Sequence, residues 1–176
     1  MLEPDIRTAR LLLRPWRAED AAFAFDLYSR WEVARFLGRA PRAMERPEEG
    51  RDLVERLQAR EDARSAYRVV EVLGTGVAVG TVMAKPIPAS GPEPLLPSAD
   101  TEIGWHFHPD HWGHGYAAEA ASALLAAALA SGLPRVVAVT YPGNLPSQRL
   151  AERIGMRRLG TTGAYYNAAL ELFEAP

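Results

Sequence analysis

The stretch from Glu102 to Ala120 constrains the fold more than any other part of the chain, because it passes from a strand pattern through a glycine-punctuated turn into an alanine-rich helix. Residues 102–107 alternate as a strand does, and Ala117 onward supplies strong helix formers. Between them Gly113, Gly115 and Ala117 are small, so the backbone can approach a ligand closely. The loop amides and the free N–H groups of the first helical turn would then face one anionic group, a phosphate or pyrophosphate. The same residues also fit a helix start packed tightly on a strand, so their context has to decide.

That context is α/β. Leu11-Leu12-Leu13 reads as a buried first strand closed by Pro15, with helices following to Ser29, near Phe36 and from Pro47. Residues 68–73 and 77–83 are β-branched runs joined by Gly74-Thr75-Gly76, the composition of a hairpin. Five prolines and a glycine between Lys85 and Asp100 predict a long surface loop there. After the helix at 115–130 come a strand at 136–140, a helix capped by Asn144 and ended near Gly155, and strands at 157–162 and 169–173. Hairpin-linked strands followed by helix-linked ones predict a mixed sheet in a single domain over residues 1–176.

Several functions lose ground on residue content alone. A formal net charge of −2 lacks the basic excess of a general nucleic-acid binder. The chain has no cysteine, which removes thiolate nucleophiles, disulfides and Cys-based metal sites. No run approaches a membrane span and the first residues lack a secretory pattern, so the cytoplasm is the expected compartment. There is no Gly-Lys-Ser/Thr of a P-loop, and the glycine turn lies past mid-chain rather than after a first strand, which argues against dinucleotide binding.

Trp112-Gly113-His114-Gly115-Tyr116-Ala117 resembles the acetyl-CoA pyrophosphate loop of the GNAT N-acetyltransferases, whose pattern is Gln/Arg-x-x-Gly-x-Gly/Ala. Gly115 and Ala117 stand at its two small positions, and Trp112 departs from Gln/Arg. His111 through Ala120 is similar to the Tyr/His-Trp-Gly-x-Gly-Tyr-Ala-x-Glu-Ala signature of the RimJ/RimL-like branch, which acetylates protein N-termini. Thr8 to Arg14 with Asp20, and Asn144 to Ser147 with Gly155-Met156, resemble that branch's opening and its Asn-x-x-Ser segment. The resemblance implies the GNAT fold, a splayed sheet of about six to seven strands with about four helices, and acetyl-CoA as co-substrate. It implies that backbone near Phe107 pairs with the pantetheine arm, that residues 112–117 hold the pyrophosphate, and that Asn144, with Ser147 beside it, contacts CoA. The strands would splay around Phe107 and Val139 to admit the thioester.

Acyl transfer to an amine needs a neutral nucleophile, a place for the oxyanion and a proton for the thiolate. Glu102 and His106 are the candidate bases, since period 2 places them on one strand face with Gly104. Each also reads as an ordinary polar residue of a groove wall. The tyrosine that many GNAT enzymes use as acid would fall at Ala151, so Ser147 is the nearest proton donor, unless its hydroxyl serves only the helix start or CoA. His106, His108, His111 and His114 cluster in sequence but match no metal-ligand spacing, so no metal is expected.

An N-terminal α-amine suits a weak base better than lysine, whose deprotonation at neutral pH costs roughly 3–4 kcal/mol more. The expected acceptor is therefore a protein or peptide N-terminus. The rivals are a small-molecule acetyltransferase acting on an aminoglycoside, polyamine or amino-acid derivative, and a non-catalytic acyl-CoA-binding domain. An acidic acceptor groove would favour the first rival, and the absence of titratable groups near the thioester the second. An exposed strand edge near the C-terminus would permit a homodimer.

Overall fold

The computed structural model describes residues 2–176. Strands β1 (Ile6–Arg7) and β2 (Leu11–Pro15) lead into helices α1 (Ala21–Ser29), α2 (Trp31–Ala34) and α3 (Pro47–Ala59). Strands β3 (Ala66–Val72), β4 (Val77–Pro88) and β5 (Pro97–Phe107) follow as a meander. Helix α4 (Tyr116–Ala130), strand β6 (Val136–Thr140), helix α5 (Leu145–Arg153) and strands β7 (Arg157–Thr162) and β8 (Leu170–Glu174) complete the chain. The described residues form one mixed sheet in the order β1-β2-β3-β4-β5-β6-β8-β7.

Two layers of helix cover this sheet. On one face Leu124, Leu125 and Ala128 of α4 pack with Leu11, Leu13, Val82, Ile103 and Phe107. On the other, Trp16, Ala24, Val54, Tyr67 and Val69 join α1 and α3 to the sheet. The β4 to β5 register runs without a break from Gly80↔Phe107 to Pro86↔Thr101, so alternation holds along β5. Ile103 and Phe107 point toward α4, whereas Gly104, which packs on Met83, lies with Glu102 and His106 on the face of α1 and α3.

The proline-rich segment corrects one sequence expectation. β4 continues to Pro88 and β5 begins at Pro97, leaving only residues 89–96 as the loop. β3 pairs with β4 only as far as Ala66↔Ala84, so Pro86 and Pro88 lie where that side of β4 has no strand neighbour to satisfy. Proline is tolerated at such an edge because no ladder hydrogen bond is lost. With this extension and the short β1, the described residues hold eight strands and five helices.

Arg14 is ion-paired and buried. Its guanidinium donates to both Asp20 oxygens at 2.8 and 2.9 Å, and to Glu71 at 2.8 Å. Asp20 also accepts the Arg17 amide at 2.7 Å, which ties β2 to the start of α1. No helix among the described residues is long and apolar enough to cross a membrane.

Candidate active site

β5 and β6 are parallel neighbours, yet they pair only at Thr101↔Val136 and Glu102↔Val137. Beyond that point they diverge, and a cleft of about 950 Å³ opens between them. Its lining includes Gly104 to Phe107 on one side and Ala138 to Tyr141 on the other, with the loop at Trp112 to Ala118 at one end.

That loop leaves a run of backbone donors unpaired. Gly113 and Gly115 have φ of 81° and 78°, the left-handed region that L side chains avoid. Trp112 anchors the loop by donating its indole N–H to the Phe107 carbonyl at 2.8 Å, although half of its side chain is exposed. Among the described residues, none of the amides from Gly113 to Ala118 donates to a backbone or side-chain acceptor, and the first bond of α4 is Glu119 N–H to the Gly115 carbonyl. Six consecutive free amides at the N-terminus of a fifteen-residue helix fit a pyrophosphate.

A brace from the far end of the chain holds this loop. Glu119 accepts the Thr8 hydroxyl at 2.5 Å, the Arg10 amide at 2.9 Å and the Arg10 side chain at 2.7 Å. Arg10 also donates to the His114 carbonyl at 3.0 Å and lies over the Tyr116 ring, on which His114 stacks. Burial alone would raise the Glu119 pKa, but these hydrogen bonds outweigh it and hold the carboxyl below its ordinary value.

The opposite wall carries the titratable groups. Glu102 Oε2 accepts Lys85 Nζ at 2.6 Å and the Tyr166 hydroxyl, and Lys85 also donates to that hydroxyl at 2.5 Å. Burial, followed by the charge of Glu102, raises the Tyr166 pKa, so the phenol keeps its proton. Glu102 Oε1 has no hydrogen-bond partner among the described residues, and it remains available to an amine. His106 Nδ1 meets the Tyr28 hydroxyl at 2.9 Å. Burial, then the charge of Lys85, pushes His106 down to about 4, while burial raises Tyr28. His106 is therefore neutral at pH 7, and if Tyr28 donates to Nδ1 then Nε2 carries the proton. Glu102 and His106 are separated by four residues of strand, roughly 13 Å, so they cannot act on one atom together.

A scan of the sequence against family models matches residues 10–157 to the acetyltransferase (GNAT) domain. The chain belongs to the GNAT acetyltransferase family. Over 164 residues it is 27% identical to the uncharacterized N-acetyltransferase YoaA of Bacillus subtilis, covering 92% of this chain and 88% of that protein. YnaD, an uncharacterized N-acetyltransferase of the same organism, is 47% identical over 60 residues, an alignment spanning 34% of this chain and 35% of YnaD. A GNAT-family acetyltransferase structure from Bacillus anthracis superposes with a TM-score of 0.74 at 26% identity, covering 97% of this chain and 95% of that one. A RimL ribosomal L7/L12 α-N-protein acetyltransferase in complex with coenzyme A shares the fold, with a TM-score of 0.74 at 17% identity over 97% of this chain and 96% of that one.

As a GNAT enzyme the chain is an acyltransferase that uses acetyl-CoA, and the free amides of residues 113–118 suit the pyrophosphate of that co-substrate. The other expected site residues are distributed around the same cleft. Asn144 caps α5 by accepting the Ser147 amide at 3.4 Å, and Ser147 Oγ lies 3.4 Å from the Trp105 indole nitrogen. Both line the cleft, as does Ala151, which is fully buried and fills the position of the family's usual tyrosine with a methyl group. His106 faces Tyr28, His108 is buried with Nδ1 accepting the Asp110 amide and has its ring centroid 5.8 Å from that of His111, and His114 is exposed on the loop. Among the described residues no three His, Cys, Asp or Glu side chains converge as metal ligands.

Sequence reasoning missed Lys85, Tyr166 and Tyr28, and it did not pair Arg10 with Glu119. Lys85 carried one signal, being the sole lysine among 20 basic residues. Tyr166 carried none. It sits in the turn between β7 and β8 with φ of 58°, in a conformation no local pattern announces.

Proposed function

We propose that this enzyme transfers acetyl from acetyl-CoA to the N-terminal α-amine of a protein or peptide. The observation that carries the reading is the charge of the cleft. With the pairs Lys85–Glu102 and Arg39–Glu93 set aside, Arg35, Arg149 and Arg153 line it against the single carboxylate of Glu32. A polyamine or aminoglycoside would bring several cations into a cationic cleft, whereas an N-terminus brings one amine that is partly neutral at pH 7. Likeness in fold to RimL supports the same acceptor class.

In this reading Glu102 Oε1 accepts a proton from the incoming ammonium, and Lys85 and Tyr166 hold the carboxylate in place through Oε2. The neutral amine attacks the thioester carbonyl, a C–N bond forms and the C–S bond breaks. The departing thiolate takes a proton from Ser147 Oγ or water, the attacking nitrogen loses its second proton as it becomes an amide and so restores that donor by way of water, and Glu102 returns its own proton to solvent. Free amides and the cleft walls contribute by positioning, which supplies much of the rate in such transfers.

The test is thiol release from acetyl-CoA with peptides, spermidine and an aminoglycoside as acceptors, each product located by mass spectrometry. Acetylation of peptide α-amines is expected. Faster transfer to spermidine or the aminoglycoside overturns the reading, and thiol release unaffected by any amine overturns catalysis of this kind.

A further inference from the structure

A second cavity, of about 840 Å³, opens on the face of the sheet that carries α1 and α3. It shares Leu37, Met83, Lys85, His106 and Tyr166 with the reaction cleft, so the two spaces meet where Lys85 and Tyr166 hold Glu102. Anything bonded to an amine resting on Glu102 Oε1 therefore has this cavity beside it.

Away from the junction one side of the wall is apolar. Leu53 and Leu57 stand one turn apart on α3 and share a face, and both pack, as Met83 does, against the cluster of Trp16, Val54 and Tyr67. Met44 completes this wall, its segment fixed by the Met44 amide donating to the Tyr28 carbonyl at 2.9 Å. Two methionines among the lining residues let the surface adapt to side chains of different shape.

The charged groups of the cavity favour neither sign of charge. Arg42 is paired with Glu49 at 3.0 Å and Lys85 with Glu102 at 2.6 Å, which leaves Arg60 and Asp62, of opposite sign, in the lining. The carboxylate of Asp62 is turned onto the Arg64 amide at 2.7 Å. A charged side chain of either sign would gain no net attraction from this lining, whereas an apolar one meets Leu53, Leu57 and Met44.

Resting on the reading that the acceptor is an α-amine, we propose that this cavity receives the side chain of the acceptor's first residue and selects a large apolar one, such as Leu, Met or Phe. The amine reaches Glu102 while its own side chain turns away from the thioester and onto Leu53, Leu57 and Met44. Specificity then comes from burial of apolar surface, which distinguishes a leucine from a serine but not one apolar residue sharply from another.

The experiment compares peptides identical except for a first residue of Leu, Met, Phe, Ser, Asp or Lys, measuring kcat/KM by thiol release and locating the acetyl group by mass spectrometry. The three apolar peptides should exceed the serine peptide by about tenfold or more, and the Asp and Lys peptides should not exceed the serine peptide at their α-amines. Leu57→Asn and Met44→Ala, made separately, should bring the Leu peptide toward the serine value through KM, with acetyl-CoA affinity by calorimetry reporting that each variant is folded. If peptides are acetylated with no apolar preference, or the Ser or Asp peptide leads, the inference is overturned while the α-amine reading stands. If no peptide is acetylated but spermidine is, both are overturned.

Discussion

Replacing Gly115 by alanine isolates the contribution of backbone conformation to cofactor binding. At φ of 78° an alanine sits in the left-handed region, and a Cβ built there meets only the Arg10 guanidinium at 3.4 Å, the movable end of a half-exposed side chain. Sterics against the rest of the protein are therefore minor. The cost is the left-handed conformation itself, about 1–2 kcal/mol for a residue with a Cβ. If the free loop relaxes from that conformation and acetyl-CoA requires it, the same cost appears in affinity, as roughly a 5- to 30-fold rise in Kd. Gly115→Glu adds a carboxylate beside six unpaired amides and should abolish measurable binding, because the side chain competes with the pyrophosphate for its donors. Isothermal titration calorimetry with acetyl-CoA reads both variants, and thermal denaturation confirms that each is folded. Wild-type affinity in Gly115→Ala would refute the requirement for a left-handed residue. Retained micromolar affinity in Gly115→Glu would place the pyrophosphate elsewhere.

Ser147→Ala should lower kcat by about 10- to 100-fold with acetyl-CoA affinity nearly intact; weaker binding at unchanged kcat would make the hydroxyl a CoA ligand instead. Asp20→Ala leaves the buried Arg14 with Glu71 as its one carboxylate partner, and should cost about 3 kcal/mol, or roughly 6–12 °C in Tm by scanning calorimetry; a Tm close to that of the unaltered protein would show the pair to be dispensable. Chelation should leave thiol release unchanged and elemental analysis should find no stoichiometric metal, whereas activity lost on chelation and restored by zinc would revive a histidine site. Because His106 titrates near 4 when folded, below its ordinary 6.5, the unfolded chain binds the extra proton first. Its contribution to stability is thus complete above about pH 6.5 and falls away toward pH 4, a slope that His106→Asn should reduce in denaturant titrations at those pH values.

Much of the architecture was legible locally. The glycine spacing at 113 and 115, the alanine-rich helix behind it and the hairpin at residues 74–76 each follow from one residue's conformational preference or from a short periodicity. The proline-rich segment shows where this fails, since Pro86 and Pro88 read as loop while the sheet accepts them. Whether a proline breaks a strand depends on whether a neighbour needs its N–H, and β3 ends before reaching it.

The site divides in the same way. Residue types and spacing along the chain determined the anion-binding loop, because a run of left-handed glycines before a helix creates donors wherever it folds. They also determined that Glu102, Gly104 and His106 share a face, since alternation is a property of the strand itself. Only the tertiary structure decided what those side chains meet. Lys85 and Tyr166 reach Glu102 from 17 and 64 residues away, and Arg10 reaches Glu119 across 109. Such contacts depend on register between strands and on where a turn lands, and no periodicity within a single segment encodes them.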